Sequence, residues 1–200
     1  EEIYPIICDC NNNGENFKVI GVLDDDVAKH GELVEGFEVL GGLELAKEMV
    51  NVKFVFGIGS YKSRNIRNKL IKKINRKVSD FVNIIHPSAN IYPGVSIGHG
   101  LIIYPGVTVC HKAILADFTI ITFDAIIGPK VFLGEFSMVA SQSLILTGAQ
   151  LGISCFVGAR CVIAENVIVG DYSVAVVGSV VFSDIPANSL VQGNPAKRLM

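Results

Sequence analysis

Residues 107–133 read Val107-Thr108-Val109-Cys110-His111-Lys112-Ala113-Ile114-Leu115-Ala116-Asp117-Phe118-Thr119-Ile120-Ile121-Thr122-Phe123-Asp124-Ala125-Ile126-Ile127-Gly128-Pro129-Lys130-Val131-Phe132-Leu133. Every sixth residue is aliphatic: Val109, Leu115, Ile121, Ile127 and Leu133. The same step runs back through Ile103 and Ile97 to Ile91. It runs forward through Val139, Ile145, Leu151, Val157, Ile163, Val169 and Ala175 to Val181 without an insertion. Two residues before each of these stands a small or β-branched side chain, such as Ala113, Thr119, Ser137, Cys155 or Cys161, with Leu101 as the exception. A glycine often follows, at Gly98, Gly128, Gly134, Gly152, Gly158 and Gly170. A period of six matches neither a helix nor an alternating strand, and it predicts a solenoid of short strands and corners.

In that solenoid the aliphatic residue points inward and stacks on its equivalent one coil away. The small residue lets the corner close, and the glycine is expected to supply backbone angles that other residues avoid. Three turns of six make one triangular coil. With parallel strands ~4.8 Å apart, about five coils form a prism roughly 24 Å tall.

The periodicity is absent from residues 1–85, where helix and strand patterns alternate. Glu1 to Asn11 reads as the end of a helix stopped by Asn11-Asn12-Asn13-Gly14, in a chain already in mid-element with residues missing upstream. Strands are predicted at Phe17–Leu23, at Lys53–Gly59 and at Val82–Ile85. Helices are predicted at Leu43–Met49 and from Arg64 to about Lys77, the latter with Ile66, Leu70 and Ile74 on one face. This order predicts a small parallel sheet of Rossmann type in residues 1–85, with its first strand missing, joined at His86-Pro87-Ser88 to a solenoid domain over residues 86–200. Lys62, Arg64, Arg67, Lys69, Lys72, Lys73, Arg76 and Lys77 give the second helix a basic character without interleaved aromatics, the pattern of a solvated face rather than a nucleic-acid patch.

Half of the 200 residues are hydrophobic, 18% are charged and the net charge is −2. That composition suits a packed solenoid and provides no general attraction to nucleic acid or anionic membrane. No apolar run reaches the ~18 residues of a membrane span. Five cysteines without a CxxC pair or a secretion signal favour reduced thiols and a cytoplasmic setting. Cys155 and Cys161 occupy the small-residue slot and read as structural filler.

Ligands of open α/β sheets sit beyond the carboxyl ends of the strands. Asp24, Asp25 and Gly59 fall at such ends, and Arg64 follows near the start of a helix. Carboxylates there accept hydrogen bonds from hydroxyls or a base edge, glycine admits a phosphate to the backbone, and arginine pairs with it. Turns also favour aspartate and glycine, so both readings stand.

The Leu23-Asp24-Asp25 strand end, the Gly57-Ile58-Gly59 turn, His86-Pro87-Ser88-Ala89, the six-residue repeat and the tail Gly193-Asn194-Pro195-Ala196-Lys197 together resemble the hexapeptide-repeat sugar O- and N-acyltransferases, across essentially the whole chain. The resemblance implies a left-handed parallel β-helix and a homotrimer. It implies acetyl-CoA as acyl donor, bound between neighbouring prisms near Met138, Ala159, Val177 and Lys197, with no metal. A nucleotide-linked or other amino or hydroxy sugar would lie against the N-terminal domain at Asp24, Asp25, Gly59 and Arg64.

In this family a histidine takes the proton of the attacking amine or hydroxyl, and a backbone N–H stabilises the developing oxyanion. Matching the motif residue by residue puts Pro129 at that histidine, Lys130 at the acid after it, and Met138 at a second histidine that contacts the cofactor. His111 lies two residues after inward Val109, as Pro129 does after Ile127, and so occupies the same column one coil earlier. Two readings of His111 follow: a relocated catalytic base, or a surface residue at a corner. Asp124 is a further polar residue near the groove. The function implied is an acetyl-CoA-dependent acyltransferase with its usual base replaced, or a catalytically degenerate trimer that binds nucleotide-sugar or acyl-CoA without turnover.

Overall fold

Each inward aliphatic residue forms the second half of a two-residue strand, as in Ile102–Ile103, Thr108–Val109 and Ile114–Leu115, which together make one coil. Val109, Ile121, Ile127, Leu133, Val139 and Ile145 are completely buried. The computed structural model describes residues 2–63 and 66–199. Register is uniform: Ile102 pairs with Ile120, Ile120 with Met138, Met138 with Phe156 and Phe156 with Val174, all in parallel. The strands stack into three sheets of eight, six and five strands, hereafter the first, second and third faces. Together they form a left-handed parallel β-helix. Leu190–Gly193 extends the first face in parallel, and Ala196–Arg198 folds back on it antiparallel.

The small slot before each strand turns out to be functional at the corners. Ser137 Oγ donates to the carbonyl of Gly152 (2.6 Å), Ser143 Oγ to Gly158 (2.8 Å) and Ser173 Oγ to Pro186 (2.7 Å). The thiols of Cys155 and Cys161 make the equivalent contacts to Gly170 (3.2 Å) and Val176 (3.0 Å). A short donor therefore satisfies a corner carbonyl that the strand ladder leaves over, which explains serine, threonine and cysteine in an otherwise apolar interior.

The glycines after the inward residues have a different role from the one expected. The left-handed positions lie two residues further on and are mostly not glycine: Lys112, Phe118, Lys130, Phe136, Gln142, Arg160 and Tyr172 all have φ between 56° and 61°. Glycine is required by close approach instead. A Cβ on Gly134 would stand 2.5 Å from the carbonyl oxygen of Gly152, and one on Gly158 would stand 2.6 Å from the amide of Val177.

In the N-terminal part, α1 (Ile3–Asn12) buries Ile6, Ile7 and Cys10 against the start of the prism. Strand pairing is sparser than the sequence pattern suggests. β1 (Val22–Leu23) is all that pairs of the 17–23 segment; it lies parallel to β3 (Phe37–Gly41), which pairs antiparallel with β2 (Leu33–Val34). The 53–59 segment contributes a single parallel bridge, Phe54 to Phe81. The predicted helix at 43–49 is a 3-10 helix, Leu43–Lys47, and the basic helix is α2 (Arg67–Ile74). The strand expected at 82–85 is Ile84–Ile85, which pairs with Ile102–Ile103 as the first strand of the first face.

Ile102 and Ile120 on the first face are buried under the N-terminal part, and Val107 at a corner points inward. Ile114, Ile126, Phe132 and Ile168 on the other faces are exposed. Arg67, read as part of a solvated basic face, is fully buried, while Ile66 beside it is exposed. The buried side of α2 is thus rotated by one residue.

All five cysteines are free. Burial pushes the Cys155 thiol up to about 11 and also raises Cys161 and Cys10. Since the thiolate is the reactive form, alkylation of the native chain at pH 8 should mark the half-buried Cys8 and Cys110 and spare the other three, as read by peptide mass spectrometry. Rapid native labelling of Cys155 would contradict this packing. Among the described residues no helix is long and apolar enough to cross a membrane.

Candidate functional site

The corner after the second face carries His111 and Pro129 on successive coils, since Val109 pairs directly with Ile127. The amide of Lys130 donates to the carbonyl of His111 (3.2 Å), and that of Gly148 donates to the carbonyl of Pro129 (2.9 Å), which locks the three coils together here. In the corner ladder the first, third and fourth residues after an inward position supply amides and the second supplies none. That is why proline is tolerated at 93, 105 and 129: its missing N–H has no bond to lose.

The other histidine rings are engaged. His30 Nε2 contacts the carbonyl of Asp24 (2.8 Å). His86 lies between Asp9 (3.1 Å) and Ser88 (2.7 Å), and His99 lies beside Asp117 (3.6 Å). His111 is exposed, and among the described residues its ring has no partner. Lys112 and Lys130 flank it at the next corner position, both exposed.

The residues expected to contact an acyl donor differ in exposure. Met138 is buried: a Cβ built on Gly59 would lie 3.4 Å from its terminal methyl and 2.5 Å from Ile120 Cδ1. The 57–61 turn therefore sits directly on the first face, and Tyr61 continues that contact edge-on against Phe156 (5.5 Å). Ala159 is half-buried, and Val177 and Lys197 are exposed. A cavity of about 140 Å³ opens beside the tail, between Phe182–Pro186 on one side and Pro195, Ala196 and Arg198 on the other, over a floor of Val181 and Val191. Asp124 is exposed at the corner after the first face.

Of the residues expected at a nucleotide-sugar, Gly59 meets Met138, whereas Asp24 and Asp25 are occupied within the N-terminal part. Asp24 pairs with Lys29 (2.8 Å) and accepts from the amide of Asp26 (2.9 Å). Asp25 pairs with Lys73 (2.9 Å) and accepts from the amide of Leu43 (2.9 Å) at the start of the 3-10 helix. The hydrogen bonds from Lys29 and Lys73 hold both carboxyls below the usual aspartate range. Arg64 lies outside the described residues. Among those described, no group of three or more histidine, cysteine or acidic side chains is arranged to hold a metal ion.

Sequence reasoning missed Arg67. Its two terminal nitrogens donate to the carbonyls of Phe118 and Phe136, 2.7 Å each, and its guanidinium lies 5.6 Å and 5.7 Å from the ring centres of Phe56 and Phe136. The available signal was spacing: Arg67, Leu70, Ile71 and Ile74 share one helical side.

No protein-family model matches the chain. Serine acetyltransferase 4 of Arabidopsis thaliana is 29% identical over 139 residues, which are 66% of this chain; the match spans only a third (33%) of that protein's length. Among solved structures, PerB from Caulobacter crescentus, in complex with CoA and GDP-perosamine, superposes with a TM-score of 0.84 at 27% identity, covering 98% of this chain and 91% of that one. Perosamine N-acetyltransferase from the same organism with one histidine replaced by asparagine, bound to the same two ligands, gives 0.84 at 26% identity, covering 98% and 90%. The acetyltransferase domain of PglB from Neisseria gonorrhoeae, in complex with acetyl coenzyme A, matches at 0.84 and 24% identity over 98% and 92%, a likeness of fold alone.

Proposed function

From the resemblance of the whole chain to hexapeptide-repeat sugar acyltransferases, we propose that it is an acetyl-CoA-dependent acyltransferase acting on a nucleotide-linked or other amino or hydroxy sugar. The supporting observation is the superposition over 98% of the chain on an enzyme bound to CoA and GDP-perosamine, at 27% identity. In this reading Ala159 and Val177 line the pantetheine path and Lys197 faces its phosphates; a small side chain, an exposed aliphatic one and an exposed cation suit such a ligand. The donor supplies the thioester. His111 accepts the proton of the attacking amine or hydroxyl, because its ring is exposed and has no partner among the described residues, where the other histidine rings are engaged. Nucleotide and sugar lie against the N-terminal part near Gly59.

Pro129 and the buried Met138 favour a second reading, a degenerate homologue that binds nucleotide-sugar or acyl-CoA without turnover. A thiol-release assay with acetyl-CoA against GDP-, UDP- and CMP-linked amino sugars, run beside calorimetry, separates the two. Thiol release above the hydrolysis blank supports the transferase. Binding without release supports the degenerate homologue. Absence of both at millimolar ligand eliminates both.

The assembly we propose is a homotrimer. Ile114, Ile126, Phe132 and Ile168 are each 37–48% exposed on the two faces that the N-terminal part leaves uncovered, which is more clustered apolar surface than a monomer usually presents to water. Light scattering at micromolar concentration should return about three times the chain mass of 21.5 kDa. A stable monomer would count against this assembly.

A further inference from the structure

Arg67 is fully buried without a carboxylate partner, and burial lowers it to about 10. It therefore stays charged at neutral pH in a setting where an apolar side chain is usually the cheaper choice. Its Nε finds no acceptor among the described residues. What the guanidinium supplies is direction: two parallel N–H donors that reach two successive coils at once. The corner ladder leaves those acceptors available. The amides of Phe118 and Phe136 donate to His99 and Asp117, while their carbonyls receive nothing from the ladder. The two rings stack at 5.0 Å and 7°, so the receiving edge is rigid.

Phe56, packed edge-on against Phe118 at 6.1 Å, precedes the turn, and Arg67 follows it. Both ends of the segment are thus fixed to the same corner. Between them Gly59 presses on Ile120 and Met138, and Tyr61 contacts Phe156, three successive coils of the first face. We infer that Arg67 is a positioning residue: by gripping the Phe118 and Phe136 carbonyls it holds the 57–63 turn in register over Ile120, Met138 and Phe156. The loop-holding role stands on contacts within the chain. Its consequence for a nucleotide-sugar rests on the function proposed above.

The test compares hydrogen exchange and ligand affinity in the full chain carrying Arg67→Met, Arg67→Lys or Gly59→Ala. Arg67→Met should speed exchange of amides 57–63 by about tenfold or more while leaving the amides of 144–151 and 162–169 on the second and third faces unchanged. Arg67→Lys, which reaches one carbonyl rather than two, should fall between it and the wild type. Gly59→Ala, which lifts the turn off Ile120 without touching Arg67, should loosen the same peptide and keeps the test usable if Arg67→Met fails to fold. A turn that stays protected in Arg67→Met, or exchange that rises equally throughout the chain, overturns the inference. So does wild-type exchange of 57–63 in Arg67→Lys. In the ligand arm, Arg67→Met should weaken GDP- or UDP-sugar binding by about tenfold and change acetyl-CoA binding little; equal losses for both ligands would reduce Arg67 to a general stabiliser. A wild type that binds neither nucleotide-sugar removes these acceptors from the proposed function and leaves the exchange result to decide the role of Arg67.

Discussion

His111→Ala should lower turnover by about 10²–10⁴-fold while leaving acetyl-CoA affinity nearly unchanged, the pattern of a group whose contribution is realised in the transition state. The expectation rests on the His111 ring, exposed and without a partner among the described residues, at the corner beside Pro129. Pro129→His tests the competing reading of an intact scaffold that lost its base. Because the ladder draws no amide from this corner position, histidine enters it without breaking a bond that proline had displaced. Activity appearing in Pro129→His but insensitive to His111→Ala would assign the reaction to position 129 and leave His111 as a surface residue. Wild-type turnover that survives His111→Ala removes the relocated base.

Gly134→Ala should be strongly destabilising, costing about 3 kcal/mol. The new Cβ would meet the Gly152 oxygen at 2.5 Å and the Gly152 carbonyl carbon at 2.6 Å. Both belong to the backbone of the next coil, which cannot rotate away as a side chain would. Gly94→Ala is the control. It has left-handed backbone (φ 79°) but open space around its Cβ, so its cost is conformational only, about 1 kcal/mol. Urea unfolding should rank wild type, Gly94→Ala and Gly134→Ala in falling order. Equal midpoints for the two variants would show that the coils give way to the added methyl and that close approach does not select glycine after the inward residue.

The prism was legible because one rule repeats: an inward aliphatic residue every sixth position, uninterrupted from Ile91 to Val181. Stacking makes each coil check the next, so a chance match does not persist. Corner chemistry was half legible. The small slot was visible, but its hydrogen-bonding use at Ser137, Ser143, Cys155 and Cys161 depends on a carbonyl about fifteen residues ahead, as in Ser137 to Gly152, which no local pattern announces. The N-terminal part was read too regularly. A run such as Lys53–Gly59 has strand composition, yet only Phe54 finds a strand partner, and the apolar side chains of the run pack among the 3-10 helix, α2 and the prism instead of along a strand edge. Arg67 was hidden by its own kind. In a helix rich in lysine and arginine, charge suggests water, and only the acceptors at Phe118 and Phe136, far along the chain, make its burial tolerable.

The unbroken pairing of Ile102 with Ile120, Met138, Phe156 and Val174 makes the length of this chain a stepped quantity. A gain or loss of a few residues inside the prism turns every later side chain away from its wall. A gain or loss of one whole turn of the spiral keeps each residue on its own wall and only slides it ~4.8 Å along the axis. Such a protein has a route of change closed to folds without a repeat: a reactive group can be relocated along a groove while keeping its aim, simply by adding or removing a storey. His111 stands one storey from Pro129, the smallest move that this geometry allows.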